Sequence, residues 1–269
     1  MTSNGLSYQV VDHVAEITLT RPGCGNAIDL DLYRNLCTAL ERAGADPGVR
    51  AILLSGSGDD FSVGEDMDYL ATLERTGRHA EWTHGYRGWI PVTWHNPKFV
   101  VAAVRGRALG IGCELALLSD VTFAARDACF GHPETRIGII THTVWPWLVG
   151  AKVAKEYLAT GAVMNGTVAQ QKGLINAAVE PGDLDARVRA FVADLASMPD
   201  GTPGANKKRI NWAFRDISRV LHDDRQYDVD FEWGVAARKV DAAFYNSVKE
   251  AGVAAAVRAR DHKFNAPRT

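Results

Sequence analysis

Several features that would point directly to a function are scarce or missing in this chain. It has only four cysteines in 269 residues, Cys24, Cys37, Cys113 and Cys129. They form no CxxC pair and no ligand-spaced cluster with histidine, which fits a reduced intracellular compartment better than a disulfide framework. No apolar run approaches the roughly 18 residues of a membrane span. The opening MTSNGLSYQV lacks a basic stretch followed by an apolar one, so a cytoplasmic location is expected. Basic blocks are also missing: 30 Lys and Arg stand against 32 Asp and Glu, a net charge of −2. Nucleic acid and anionic membrane are therefore not expected partners. No histidine has the spacing of H-E-x-x-H, and no G-x-S-x-G is present. No glycine turn completes G-x-G-x-x-G or leads to a P-loop lysine. No metal and no redox cofactor are expected.

What remains is an ordinary globular composition, long enough for one large domain or one domain with an appendage. VAEITLT (14–20), VRAILLSGSG (49–58), FVVAAVRG (99–106), VTFAARD (121–127) and GLINAAVE (173–180) read as strands. Between the first two, DLDLYRNLCTALERAGAD (29–46) carries Leu32, Leu36 and Leu40 at helical spacing. Near-continuous apolar strands separated by helical segments predict an α/β layer architecture. After about residue 183 the chain reads as helices, which divides it into a core, 1–198, and a helical C-terminal region, 199–269. The segment 71–97 is rich in aromatics (Trp82, Tyr86, Trp89, Trp94) and suits a helix and loop lining a pocket.

Two glycine turns stand out: Gly64 in FSVGED, and Gly110–Gly112 in GIGCEL. Each lies between a strand and an expected helix start, where backbone N–H groups lack partners. Converging on one point, two such ends would stabilise an oxyanion. Just beyond the second turn stands Glu114, among Leu109, Ile111, Leu115, Leu117 and Leu118. A carboxylate in apolar surroundings is costly unless it is paired, hydrogen-bonded or working. A second acid, Glu134, sits in FGHPETRIGII. Each has a plain reading, Glu114 as a helix-start acid and Glu134 as a turn acid beside Pro133. Together they suggest a coupled pair that accepts a proton from water and delivers one elsewhere. His132 and His142 flank Glu134 and read first as structural residues.

These residues resemble the crotonase (enoyl-CoA hydratase/isomerase) superfamily over nearly the whole chain. EITLTRPGCGNAI (16–28), VRAILLSGSGDDFSVGEDM, FVVAAVRGRALGIGCELALLSDVTFAA and FGHPETRIGII are similar to four of its motifs, in the family's order. The resemblance implies a spiral of ββα units with a helical C-terminal region that builds a homotrimer or hexamer. It implies an enoyl-CoA hydratase that adds water to a 2-enoyl-CoA. The backbone N–H groups of Glu65 and Ile111 would be the oxyanion donors, and Glu114 and Glu134 the two acids. Val63, Asp66, Gly110, His142 and Trp145 would contact substrate, and CoA would arrive as part of it. Three alternatives stay open, one of them a non-catalytic scaffold that keeps the trimer surface without turnover. THTVWPWLVG resembles a diketone-cleaving branch that hydrolyses a carbon–carbon bond of a cyclic β-diketone without CoA, and an isomerase would need Glu134 alone. Near the C-terminus Ala256 and Ala259 fall where the family often has an aromatic residue and a CoA-binding lysine, with Arg258, Arg260 or Lys263 as substitutes. Phe231, Trp233, Val235, Val240 and Phe244 are expected to be exposed on a subunit interface.

Overall fold

The structure, a computed structural model, describes residues 2–3, 5–86, 88–139, 144–215 and 235–265. Its main sheet contains β1 (Thr2–Ser3), β2 (Leu6–Val11), β3 (Val14–Leu19), β4 (Ala51–Gly56), β5 (Phe99–Val104), β7 (Val121–Ala125) and β10 (Ala177–Val179), side by side in that order. The first two pairings are antiparallel, and from β3 onward neighbours run parallel. A smaller sheet joins β6 (Arg107–Leu109), β8 (Cys129–Gly131) and β9 (Val163–Asn165).

The central strands are apolar at nearly every position because both of their faces are covered. Ile52 and Leu54 of β4, with Val100, Ala102 and Val104 of β5, face α1 (Leu30–Ala45), which presents Leu32, Leu36 and Leu40. The alternate residues Ala51, Leu53, Val101 and Ala103 face α7 (Leu184–Ser197) through Leu184, Val188, Val192 and Ala196. Helix α1 begins where Asp29 accepts the Leu32 N–H at 2.8 Å, an N-cap that satisfies one of the helix's orphan donors. The leucine spacing and the cap together set its length and its buried side.

Arg21 links this helix to the next. Its guanidinium binds Asp29 and Asp66, each at 2.9 Å, and Asp66 caps α2 (Met67–Arg75) by accepting the Tyr69 N–H. The C-terminal helices Val235–Ala251 and Val253–Asn265 follow the undescribed stretch, and the first packs on α2. Phe244, expected to be exposed, is instead buried in its own subunit against Tyr245 and Arg260. The expectation ignored intrachain packing, since the helix period carries Phe244 to its inner side. Phe231, Trp233 and the side chains of Val235 and Val240 lie outside the described residues. Among the described residues no helix is long and apolar enough to cross a membrane.

Helix α8 (Thr202–Ala213) is pinned under the sheet by one buried cation. Lys207 Nζ donates to Asp120 Oδ2 at 2.6 Å, to Thr93 O at 2.8 Å and to Lys98 O at 3.0 Å. Asp120 in turn accepts the Val100 N–H at 2.7 Å. Burial raises the Asp120 carboxyl to about 6 against the pull of Lys207, and burial lowers Lys207, so each partner bears a desolvation cost. Removing one partner strands the other. Lys207→Met should destabilise the chain by about 3–5 kcal/mol in urea denaturation. Pairing it with Asp120→Asn should recover much of the loss, and a single-variant loss below about 1 kcal/mol would show that the pair is no anchor.

Candidate active site

The two glycine turns meet. Leu109 donates to Ser62 O at 3.0 Å, and Ser62 donates to Arg107 O at 2.9 Å. A β-carbon on Gly64 would lie 2.8 Å from Leu109 O, and one on Gly112 would lie 2.7 Å from Ser62. Both contacts are too close for any side chain, so glycine at these positions lets one turn press on the other. Gly110 has φ 53° and ψ −130°, a backbone state open in practice to glycine alone. Asp60 ties the same turns from outside, holding Arg107 at 2.6 Å through its guanidinium and at 2.9 Å through its backbone N–H.

The Asn-Ala motif braces the first turn from beneath. Fully buried Asn26 accepts the Arg21 N–H at 2.8 Å and donates to Ser57 O and Asp60 O at 3.0 and 2.7 Å. Its carbonyl accepts the Ser62 hydroxyl, whose oxygen takes the Gly64 N–H. Ile28 then clasps both sides of Glu65, donating to Gly64 O at 2.8 Å and accepting from Asp66 N–H at 3.0 Å. The Glu65 N–H between them has no backbone acceptor among the described residues. Ile111 opens α4 (Ile111–Leu117), where a first-turn N–H has no intrahelical partner. Its carbonyl is fixed by the Trp89 indole at 2.9 Å. Trp89 belongs to a stack of Tyr33, Trp82 and Tyr86, so the aromatic segment does flank this site.

Glu114 lies in the first turn of α4 and is buried. Glu134 is buried too, in the short 3₁₀ turn Pro133–Ile137. Gly138, at φ 89°, closes that turn by donating to the carbonyls of Glu134 and Thr135. Two side chains that the sequence reading left aside complete the cluster. His132, read as structural, binds Glu134 through Nδ1 at 2.9 Å, and both are almost fully enclosed. Burial alone would lower the His132 pKa, but Glu134 and Cys113 outweigh it and hold the ring well above its ordinary value. The second is the Glu65 carboxylate. A β-carbon on Gly110 would lie 3.0 Å from Glu65 Oε2 and 3.3 Å from Glu134 Oε1, so both carboxylates converge on that glycine. Burial and the neighbouring Glu134 push Glu65 up to about 7, against the N–H groups of Glu65 and Ile111 and the His132 charge. Beside them, the buried Tyr86 hydroxyl has no hydrogen-bond partner among the described residues. Burial, then Glu114 and Glu65, hold its phenol well above the usual range.

Of the expected substrate contacts, Gly110 is at the centre and Val63 flanks it, its backbone N–H bound to Gly25 O at 3.0 Å. Asp66 has its carboxylate engaged by Arg21 and the α2 cap. Trp145 is fully buried and packs edge-on to His132 at 5.9 Å. His142 lies outside the described residues. Arg260, a candidate for CoA, is bound to Asp261 at 2.8 Å.

Residues 10–230 match the profile of the enoyl-CoA hydratase/isomerase family. The chain belongs to that family. A crystal structure of an enoyl-CoA hydratase/isomerase from Xanthobacter autotrophicus Py2 superposes with a TM-score of 0.90 at 30% identity, covering 98% of this chain and 100% of that one. A probable enoyl-CoA hydratase from Rhodobacter capsulatus is 34% identical over 88% of this chain and 95% of its own. A crotonyl-CoA hydratase from Syntrophomonas wolfei is 29% identical over 98% and 99%. The α/β fold with its parallel sheet and helical C-terminal region is the crotonase fold, and the chain is an enzyme of this family.

The acid cluster has a measurable signature. A carboxyl group whose folded value is raised contributes stability that is complete below the unfolded value and lost as pH rises through the folded one. For Glu65 that window runs from 4.5 to about 7. The stability of Glu65→Gln relative to wild type should therefore climb through this window and level off above it. Urea denaturation at a series of pH values measures the difference, and a flat profile would show that Glu65 is not held in a site that disfavours its charge.

Proposed function

We propose that the enzyme adds water reversibly across the double bond of a 2-enoyl-CoA. The observation that carries this reading is the meeting of the two turns, with two N–H groups that have no backbone acceptor among the described residues beside buried acids. The thioester oxygen accepts from the Glu65 and Ile111 N–H groups, which stabilise the enolate that forms when the β-carbon is attacked. Water binds between Glu114 and Glu134. Glu114 takes a proton from the attacking water. The His132–Glu134 unit supplies a proton to the α-carbon, with Glu134 touching the substrate and His132 holding its carboxylate in place. The proton gained by Glu114 replaces the one delivered once product leaves. No metal or redox cofactor takes part, and CoA enters only as part of the substrate. The relatives, a crotonyl-CoA hydratase among them, support the same reaction class.

A homotrimer or hexamer belongs to the same reading. It is supported by Ile210, Trp212 and Phe214, which stand 54%, 70% and 44% exposed in and just beyond α8. Light scattering at micromolar concentration should give a trimer or its double, and a stable monomer would contradict it.

Hydration should be followed as loss of enoyl-thioester absorbance across a panel of chain lengths, beside cyclic β-diketones. Glu134→Gln should keep the fold and lose roughly 10²–10⁴-fold in turnover. Glu114→Gln should lose hydration but retain double-bond isomerisation, which needs one acid only. Normal hydration by Glu114→Gln would make Glu114 structural and defeat the two-acid mechanism. Turnover of the diketones alone would replace the CoA reading with carbon–carbon hydrolysis.

A further inference from the structure

We propose that the Glu65 side chain is a built-in stopper of the oxyanion pocket: in the empty enzyme its carboxylate fills the place of the substrate carbonyl oxygen, and substrate binds by displacing it. The inference rests on reading the Glu65 and Ile111 N–H groups as oxyanion donors.

Three observations lead there. First, the side chain folds back over the second turn: Oε2 comes within 3.0 Å of the point where a Gly110 β-carbon would stand. Second, the two N–H groups that lack backbone acceptors are the ones that act on this carboxylate, each favouring its charged form. Third, the backbone around Glu65 is clasped on both sides by Ile28, through Gly64 O and Asp66 N–H. The main chain therefore keeps its N–H aimed at the pocket while the side chain alone can rotate away. The neighbours facing the carboxylate are Glu134, which repels it, and His132, which attracts it. Tyr86 stands on the same side, with its hydroxyl unpartnered.

A stopper of this kind imposes an entry cost. The incoming carbonyl is neutral in the ground state, and above about pH 7 it replaces an acceptor that carries charge. A bound ligand without a thioester carbonyl, such as free CoA, has no need to move Glu65. The pocket should also be a receptor for small carboxylates once its own is removed.

The test uses the full chain with Glu65→Ala and Glu65→Gln, and Glu65→Ser in place of Glu65→Ala should the latter not fold. Acetate is titrated against each, with the melting temperature and the amide resonance of Ile111 as readouts. Acetate should raise the melting temperature and shift that resonance in Glu65→Ala. It should do neither in wild type nor in Glu65→Gln, whose amide oxygen still fills the pocket. In parallel, a saturated acyl-CoA thioester and CoA are compared by calorimetry. The thioester's advantage over CoA should grow roughly tenfold in Glu65→Ala, the size of one charge-assisted hydrogen bond. Acetate acting alike on all three proteins, or an unchanged advantage with both ligands bound, would overturn the proposal. If acetate discriminates as expected while neither CoA ligand binds, the stopper stands and the CoA reading fails.

Discussion

The contact between two glycine turns is the constraint on which the rest of this molecule depends. Leu109 N–H reaches Ser62 O, Gly64 lies against Leu109, and Gly112 lies against Ser62. Close approach of two backbones needs residues without side chains, and it needs rigid supports on each side. The supports are visible. Asn26 and Ile28 hold the first turn, Trp89 and Asp60 hold the second, and the parallel sheet brings β4 and β5 to the same edge. Pre-organised N–H groups are effective because they need no reorganisation when charge develops. The buried Asn26, with each of its side-chain polar atoms engaged, contributes to function only through this rigidity.

Around that contact the electrostatics are crowded. Glu65 and Glu134 converge on Gly110, Glu114 follows within α4, and His132 is the positive group paired with Glu134. In a site of low dielectric, neighbouring carboxylates resist ionising together, and an adjacent imidazolium relieves the conflict. The directions agree with this picture: Glu65 is raised and His132 is raised. The two groups titrate as parts of one network, and a pH profile of this enzyme would report the network and not a single residue. Trp145 packs edge-on against the His132 ring.

Much of the fold was legible in the sequence because its strands are buried on both faces and its first helix carries a clean leucine spacing with an Asp29 cap. The glycine turns and both predicted acids were legible for the same reason: the chemistry of each residue conflicts with an ordinary placement at that point in the chain. The smaller sheet was not, since three-residue strands are too short to show a period. Helix α5 (Trp145–Leu158) was missed as well, because it opens on Trp-Pro-Trp and holds Gly150 at φ 76°. At the site, the partners were harder than the principals. His132 reaches Glu134 only because the 3₁₀ turn Pro133–Ile137 directs the acid back over its neighbour. Glu65 was read for its N–H alone, and nothing in FSVGED says which way a flexible side chain folds. Asp66 was read as a substrate contact and Arg21 as a strand end, yet together they set the starts of two helices.

Lys207 has a consequence for how the chain is made. The sheet, both turns and every acid of the cluster precede it in sequence, and its partners Thr93, Lys98 and Asp120 lie far upstream. During synthesis from the N-terminus, the core strands therefore emerge while Asp120 still lacks its cation. Its neutralisation waits for a long-range contact that closes late, and such contacts slow folding and leave apolar faces open meanwhile. Both turns and the acids thus emerge from the ribosome before the cation that neutralises Asp120 has been added to the chain. A chain cut short ahead of α8 would carry both turns and every acid of the cluster, with Asp120 left without its cation.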